Sequence, residues 1–189
     1  MTLFFSQFVG EKGRVISFEA DDFSCSVLEK NIAANSRTNI IPICKAVYNK
    51  SGEVMFDPVP DFQRFSASGS YGLDPNAKQG RKVETLAIDS LNIQSPISFM
   101  KVDVQGNDLF VLQGAIETIR RHQMPIIFEY EEQFQEEFKT CWSDYLEFIE
   151  LVDYKVKKVV NNINYLIVPK KVFSCVNLSV LSRDYILTI

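Results

Sequence analysis

The chain has 189 residues, a length typical of one α/β domain and short for two. An apolar fraction of 46% and a charged fraction of 23% indicate a soluble globular protein with a packed core. The 20 basic and 24 acidic residues give a formal net charge of -4, which argues against a nucleic-acid-binding protein that relies on a basic surface.

The chain also lacks the sequence features of a membrane, secreted or zinc protein. No apolar run reaches the roughly 20 residues that a membrane-spanning helix needs. The apolar N-terminus has no basic segment before it and ends at Gly10, so we expect no signal peptide. Cys25, Cys44, Cys141 and Cys175 form no CxxC pair and the chain has one histidine, so we expect no zinc site. Scattered cysteines indicate buried or unreactive thiols in a reducing compartment, and therefore a cytoplasmic protein.

In the first half of the chain, strand and helix patterns alternate, as in a parallel sheet with helices on its faces. The predicted elements are, in order, a helix end at 2–9, a buried strand at 14–18, a helix at 23–32 capped by Asp21 or Asp22, a strand at 39–47, a turn at 49–52, a returning strand at 54–56 and a strand at 82–86. We expect 39–47 and 54–56 to form a hairpin, with 82–86 pairing beside it.

A long segment at 57–80 is rich in Pro, Gly, Ser and Asp. Loops of this length within a compact domain are usually functional or disordered. Its aromatic residues Phe62, Phe65 and Tyr71 either line a substrate site or anchor the loop to the sheet. Ser66 is a candidate for a hydrogen bond to a polar substrate.

The second half of the chain continues the alternation. The predicted elements are a central strand at 97–104, a tight turn at 105–107, a helix at 108–121, a strand at 125–130, a long helix at 132–151 and a closing hairpin formed by 155–160 and 165–168. The tail from 170 to 189 has weak strand character and carries no motif.

Three of the predicted strands end in acids: Glu19, Asp103 and Glu129. In open α/β sheets, ligands bind outside the carboxyl ends of the strands. Glu19 is either an acid that accepts ribose hydroxyls or an exposed acid near a helix start. Lys101 and Asp103 share one face of their strand, which suits either a binding site or an ion pair that ends the strand.

Several blocks in the same order resemble the FkbM-type methyltransferases, a branch of the class I S-adenosyl-L-methionine (SAM)-dependent fold. The most specific block is Phe99-Met100-Lys101-Val102-Asp103-Val104-Gln105-Gly106, which is followed by Leu112-Gln113-Gly114-Ala115. The others are residues 13–31, 46–52 and 83–91, and Glu129 falls at the acid of the family's fifth strand. The resemblance covers roughly residues 3–168, which predicts a methyltransferase-like domain at 1–168 and a C-terminal extension at 169–189.

The resemblance implies a Rossmann-like fold with a mostly parallel sheet and a C-terminal antiparallel hairpin. It implies methyl transfer from SAM to a hydroxyl oxygen on a sugar, a lipid or a secondary metabolite. Glu19 would bind the cofactor ribose, and Ala46 and Val47 would lie at the adenine. No metal ligand set accompanies the match.

The resemblance also implies the catalytic residues. Asp103 would lie beneath the methyl donor and near the substrate, with Lys101, Gln105 and Glu129 helping to shape the site. A hydroxyl that accepts a methyl group must lose its proton, and Asp103 and Glu129 are both candidates for the base.

One element of the family pattern is missing. No glycine-rich turn of the D-x-G-A-N-x-G kind precedes Glu19, so the first, central strand is expected to be absent and to leave a gap between the Glu19 and Asp103 strands. Three explanations stay open: a fragment of a longer protein, a degenerate relative, or a gap filled by another chain or by residues 170–189. The alternative function is accordingly a non-catalytic binding or assembly module, and a homo-oligomer is left open.

Overall fold

A computed structural model describes residues 1–56, 81–171 and 185–189 of the chain. Within these residues the strands form a seven-stranded sheet and a three-stranded sheet. The helices are α1 (Thr2–Val9), α2 (Asp22–Ala34), α3 (Asp108–Gln113), α4 (Ile116–His122), α5 (Glu132–Phe138) and α6 (Trp142–Leu151). The strands are β1 (Arg14–Phe18), β2 (Ile40–Ile43), β3 (Ala46–Val47), β4 (Gly52–Phe56), β5 (Arg81–Leu86), β6 (Ile97–Lys101), β7 (Ile126–Glu129), β8 (Tyr154–Val160), β9 (Asn164–Pro169) and β10 (Tyr185–Thr188).

The seven-stranded sheet has the order β2-β1-β10-β6-β7-β9-β8. Its first five strands are parallel, whereas β9 pairs antiparallel with β7 and with β8. The predicted mostly parallel α/β sheet with an antiparallel C-terminal hairpin is therefore confirmed. The hairpin forms where the sequence predicted it, because the left-handed conformations of Asn161 and Asn162 reverse the chain between β8 and β9.

Both faces of this sheet are buried. Val15 and Ile186 pack in one apolar cluster with Val9 of α1, whereas the neighbouring Ile16 and Leu187 pack in the larger cluster on the opposite face. Successive strand residues point to opposite faces, so the near-continuous apolar runs of β1 and β10 follow from burial on both sides.

Strand β10 occupies the position where the sequence predicted a gap. It lies parallel to β1 and to β6, with Ile16 opposite Leu187 and Leu187 opposite Met100. Beyond the strand, the Ile189 carbonyl accepts a hydrogen bond from the Asp103 amide at 3.1 Å. The prediction of an open gap is wrong, and the explanation that the C-terminal segment fills it is the one that the structure shows.

The position of β10 concerns the predicted division of the chain into a domain at 1–168 and a C-terminal extension at 169–189. Residues 185–189 lie inside the main sheet rather than beside it, because their backbone groups pair on both sides. Residues 172–184 lie outside the described part of the chain, so the division itself stays a prediction.

The small sheet differs from the predicted hairpin. The predicted strand at 39–47 is divided: β2 belongs to the main sheet and β3 to the small one, with the order β3-β5-β4. Strand β5 lies between β3 and β4, parallel to the first and antiparallel to the second. The prediction that the second strand pairs directly with 54–56 is therefore wrong, whereas 81–86 does pair with the returning strand.

Two predicted helices are each divided in two. The helix at 108–121 is interrupted at Gly114, and α4 starts where the Asp89 carboxylate accepts hydrogen bonds from the amides of Glu117 at 3.0 Å and Thr118 at 2.8 Å. This cap satisfies two amides that a helix start leaves without partners. The helix at 132–151 is interrupted at Lys139, which adopts a left-handed conformation with φ 53°.

The cysteine prediction needs correction. Cys25 of α2 and Cys44, which follows β2, form a disulfide, with their Cα atoms 5.8 Å apart. Their separation of 19 positions in the sequence gave no sign of this pairing; the packing of α2 beside β2 creates it. Cys141 is an exposed free thiol, and Cys175 lies outside the described residues. Among the described helices, none combines the length and apolar character needed to cross a membrane.

Candidate active site

Parallel pairing brings the carboxyl ends of β1, β10, β6 and β7 to one edge of the main sheet. Glu19 follows β1, Lys101 ends β6, Asp103 lies just beyond it, and Glu129 ends β7. The three acids singled out in the sequence therefore lie on the edge where open α/β sheets bind ligands.

Lys101 and Asp103 form an ion pair at the end of β6. The Lys101 ammonium lies 2.9 Å from a carboxylate oxygen of Asp103 and also donates a hydrogen bond to the Val102 carbonyl at 3.1 Å. The lysine side chain is 9% exposed and that of Asp103 is 37% exposed. A nearly buried ammonium needs such acceptors, and the pair leaves the aspartate at the surface of the site.

Glu129 and Asp103 interact electrostatically at the ends of neighbouring strands. Burial is the main cause that raises the pKa of Glu129 to about 7, and the negative charges of Asp103 and Asp108 raise it further. A hydrogen bond between the side chains of Glu129 and Asp103 acts in the same direction, since two carboxyl groups can form one only when a proton lies between them. Glu129 can therefore take up and release a proton near neutral pH.

Asp108 is the central residue that the sequence analysis missed. It is fully buried, and its carboxylate accepts hydrogen bonds from the Glu129 amide at 3.0 Å and the Val104 amide at 3.4 Å. It thus joins the segment after β6 to the end of β7. Burial, the largest cause, raises the pKa of Asp108 to about 7, and the charge of Asp103 adds to this rise. The two amides and the charge of Lys101 oppose it.

The turn after β6 explains why the sequence pattern did not reveal Asp108. Gln105 and Gly106 both have left-handed conformations, with φ 52° and 87°. They reverse the chain, so Asp108 at the start of α3 returns to the strand ends. A Cβ on Gly106 would lie 2.5 Å from the Cβ of Phe134, so packing against α5 as well as φ requires glycine there. In the sequence, Asp108 looks only like a residue favoured in the first turn of a helix.

Glu19 begins a second group of carboxylates at the same edge. It is half-buried, and one carboxylate oxygen accepts a hydrogen bond from the Asp21 amide at 3.1 Å. Burial is the main cause that raises the pKa of Glu19. Asp21 caps α2 through the Ser24 amide, and Arg81 of β5 forms ion pairs with Asp21 and Asp22. Within the described residues no lysine or arginine forms an ion pair with Glu19 itself.

The remaining predicted site residues are distributed differently. Ala46 and Val47 are each 3% exposed and lie in apolar clusters, where their backbones pair with Thr85 and Leu86 of β5. Gln105 is half-buried in the turn beside Asp103. Ser66 lies outside the described residues, as do the aromatic residues predicted in the same loop.

A groove of about 1060 Å³ lies away from these acids. It is formed by α3, by the α5–α6 connection and by the turn after β3, and its lining includes Asn49, Gln113, Phe138, Asp144 and Phe148. The strand-end acids do not line it, so we do not assign it to the candidate active site.

Comparison with known proteins identifies the family and a similar fold. A family model described as the methyltransferase FkbM domain matches residues 1–156. The crystal structure of methyltransferase FkbM from Methylobacillus flagellatus KT is similar to this chain, with a TM-score of 0.53 and 16% sequence identity. The similarity covers 82% of this chain and 36% of that chain, and at this identity it shows the fold alone. No curated protein matches the sequence.

Proposed function

The chain belongs to the FkbM methyltransferase domain family, and from this premise we propose that it transfers a methyl group from SAM to a hydroxyl oxygen of a sugar, lipid or secondary metabolite. The observation that carries the proposal is the position of Glu129, whose pKa is raised to about 7, with Asp103 at the carboxyl edge of the sheet. A carboxyl group that exchanges a proton near neutral pH, as Glu129 does, is suited to accept one from a hydroxyl group.

Glu19 fits the ribose of the cofactor. Its carboxylate stands at the end of β1, and beside the hydrogen bond from the Asp21 amide it has acceptor positions for two adjacent hydroxyl groups. Ala46 and Val47 are proposed to lie at the adenine. Because their side chains are already packed in apolar clusters, they would form the wall behind the pocket rather than reach into it.

When bound, SAM supplies an electrophilic methyl group on a positively charged sulfur. The contribution of this chain is to position the acceptor hydroxyl and to remove its proton. We assign the proton to the Glu129–Asp103 pair, with Lys101 fixing Asp103 through the 2.9 Å ion pair. Asp108 fixes the other member, because its hydrogen bond from the Glu129 amide holds the end of β7 in place. Gln105 and Ser66 are proposed to contact the acceptor.

The proposal is tested by calorimetric titration of the whole chain with S-adenosylhomocysteine. We expect saturable binding that weakens by at least roughly tenfold in Glu19→Gln, since the amide accepts hydrogen bonds without the negative charge. Glu11→Gln, which changes an exposed acid at the end of α1, is the matched control. Equal affinity in wild type and Glu19→Gln would remove the ribose assignment.

Asp103→Asn separates binding from catalysis. It should keep the affinity for S-adenosylhomocysteine and lose most of the conversion of SAM in the presence of hydroxyl acceptors, because the amide cannot share a proton with Glu129. Turnover equal to that of the wild type would contradict the proton-acceptor role of the pair.

A second candidate function is a binding or assembly module without catalysis. The observation in its favour is that β10 and α1, which flank the cofactor edge, come from opposite ends of the sequence. In the family that the chain resembles, a glycine-rich turn joins the first strand to the helix that follows it. Here β10 and α1 correspond to that strand and helix, and no such turn connects them. A folded chain that does not bind S-adenosylhomocysteine would support this candidate.

A further inference from the structure

Three potential metal ligands meet where α2 lies beside the end of β2. The sulfur atoms of Cys25 and Cys44 and a carboxylate oxygen of Glu29 all lie within 4.8 Å of one another. Cys25 and Glu29 are one helical turn apart on α2, so their side chains project to the same side. The expectation that the chain has no zinc site depended on cysteine spacing along the sequence, and the fold brings together two cysteines that are 19 positions apart.

The backbone on both sides of the cluster is held by hydrogen bonds. The Cys25 amide donates to the Asp21 carbonyl at 2.7 Å in the first turn of α2. The Ile43 carbonyl, next to Cys44, accepts hydrogen bonds from the Glu19 amide at 3.1 Å and the Lys45 amide at 2.9 Å. Ligands on fixed backbone lose little entropy when they bind a metal, so the site is preorganised.

The local charge also favours a cation. Lys45, the basic neighbour of Cys44 in the sequence, forms an ion pair with Glu84 at 2.6 Å and so does not neutralise Glu29. In the described part of the chain, Glu29 itself takes part in no ion pair. Two thiolates and this carboxylate would carry three negative charges, of which a divalent cation compensates two. Sulfur ligands select zinc over magnesium or calcium.

We propose that, in the dithiol form of the protein, Cys25, Cys44 and Glu29 bind one Zn²⁺ ion, with water as the fourth ligand. Tetrahedral coordination with Zn–S bonds of about 2.3 Å places two sulfurs about 3.8 Å apart. The Cα atoms of the two cysteines, 5.8 Å apart, can remain in place while the sulfurs separate by rotation about the Cα–Cβ bonds. Cys25 is 1% exposed whereas Cys44 and Glu29 are exposed, so an ion can enter from the solvent side.

Disulfide and metal site exclude each other, because both use the same sulfur atoms. A dithiol reductant breaks the S–S bond, which leaves two thiols on the protein and an internal disulfide on the reductant. Zn²⁺ then displaces one proton from each thiol and binds the two thiolates. A small-molecule disulfide oxidant, which is itself reduced to two thiols, re-forms the Cys25–Cys44 bond and releases the ion.

The test measures Zn²⁺ binding by the full chain in its two oxidation states. The protein is reduced with dithiothreitol, transferred to reductant-free buffer without oxygen, and titrated with Zn²⁺ in competition with a chromophoric chelator. We expect one ion per reduced chain and none per oxidised chain. Cd²⁺ in place of Zn²⁺ should give an ultraviolet thiolate-to-metal charge-transfer band in the reduced protein alone.

Variants assign the ligands. Cys44→Ser, at an exposed position, should abolish binding. Glu29→Gln should weaken binding by at least roughly tenfold, because the loss of a residue that only hydrogen-bonds to a metal ligand already has an effect of this size. Cys141→Ser and Cys175→Ser are the matched controls and should bind like the wild type. Binding by the oxidised protein, binding retained in Cys44→Ser, or no binding by the reduced wild type would each overturn the proposal. Trp142 fluorescence checks that every variant is folded.

Discussion

Replacing Asp108 by asparagine should remove much of the pH dependence of stability. The folded-state pKa of Asp108, about 7, is above the ordinary value of 3.8 because the carboxyl group is buried. Between these two values the folded protein binds more protons at this group than the unfolded chain does. The free energy of unfolding therefore falls as the pH rises from about 4 to about 7, and this contribution is constant above that range.

The magnitude follows from the shift in pKa. Of the range from about pH 5 to pH 8, the effect covers about two pH units, from about 5 to about 7. There Asp108 is protonated in the folded protein and ionised in the unfolded chain, and each unit corresponds to about 1.36 kcal/mol. The wild type should thus lose roughly 3 kcal/mol of stability over this range through Asp108. Glu129, whose pKa is also raised to about 7, acts in the same direction but more weakly, because it is partly exposed and screened by solvent.

Urea denaturation at about pH 5 and pH 8 measures the effect, since the linear extrapolation gives the free energy of unfolding at each pH. Trp142, the single tryptophan of the chain, packs against Phe128 and Tyr145, so its fluorescence reports the unfolding of the core. We expect Asp108→Asn to lose most of the difference between the two pH values. Glu136→Gln, an exposed acid on α5, should keep it.

A pH dependence of Asp108→Asn equal to that of the wild type would refute the reasoning. In that case Asp108 would be ionised in both the folded and the unfolded protein throughout this range, and burial would not raise its pKa.

The remaining predictions concern the packing that builds the site. Leu187→Ala should lower the free energy of unfolding by roughly 2–5 kcal/mol, because Leu187 is 0% exposed between β1 and β6. Ile41→Ala, at a position that is 43% exposed on edge strand β2, should cost less than about 1 kcal/mol and serves as its control. Gly114→Ala should destabilise the fold by roughly 1–3 kcal/mol, since the added Cβ would lie 2.2 Å from the Tyr48 carbonyl oxygen. Gln113→Ala, one position earlier and exposed, should change stability little. If urea denaturation gave the same free energy of unfolding for both variants, the close approach of residue 114 to the Tyr48 carbonyl would be contradicted.

Much of the framework could be predicted from local patterns. The apolar runs that form β1, β6 and β7 and the turn residues of the β8–β9 hairpin specify their own conformations, because periodicity and turn chemistry act over a few neighbouring residues. Asp21 as the cap of α2 belongs to the same class, since its carboxylate accepts a hydrogen bond from the Ser24 amide only three residues away.

The candidate site was predictable to a smaller extent. Glu19, Asp103 and Glu129 were singled out because acids at the ends of buried strands are unusual, and the parallel pairing places them at one edge of the sheet. Asp108 was not found, because its function depends on the chain reversal at Gln105 and Gly106. The Cys25–Cys44 disulfide was not found either, since it requires α2 and β2 to be adjacent.

The sequence by itself therefore determined the α/β class, the strand-end acids and the family resemblance, since each depends on residues close together in the chain. Only the tertiary structure decided that β10 lies between β1 and β6 and that Asp108 bridges β6 and β7. The physical reason is that a short apolar segment such as 185–188 is compatible with any unpaired strand edge. Its place is fixed by backbone hydrogen bonds and burial on both sides, and these exist only once the distant parts of the chain have come together.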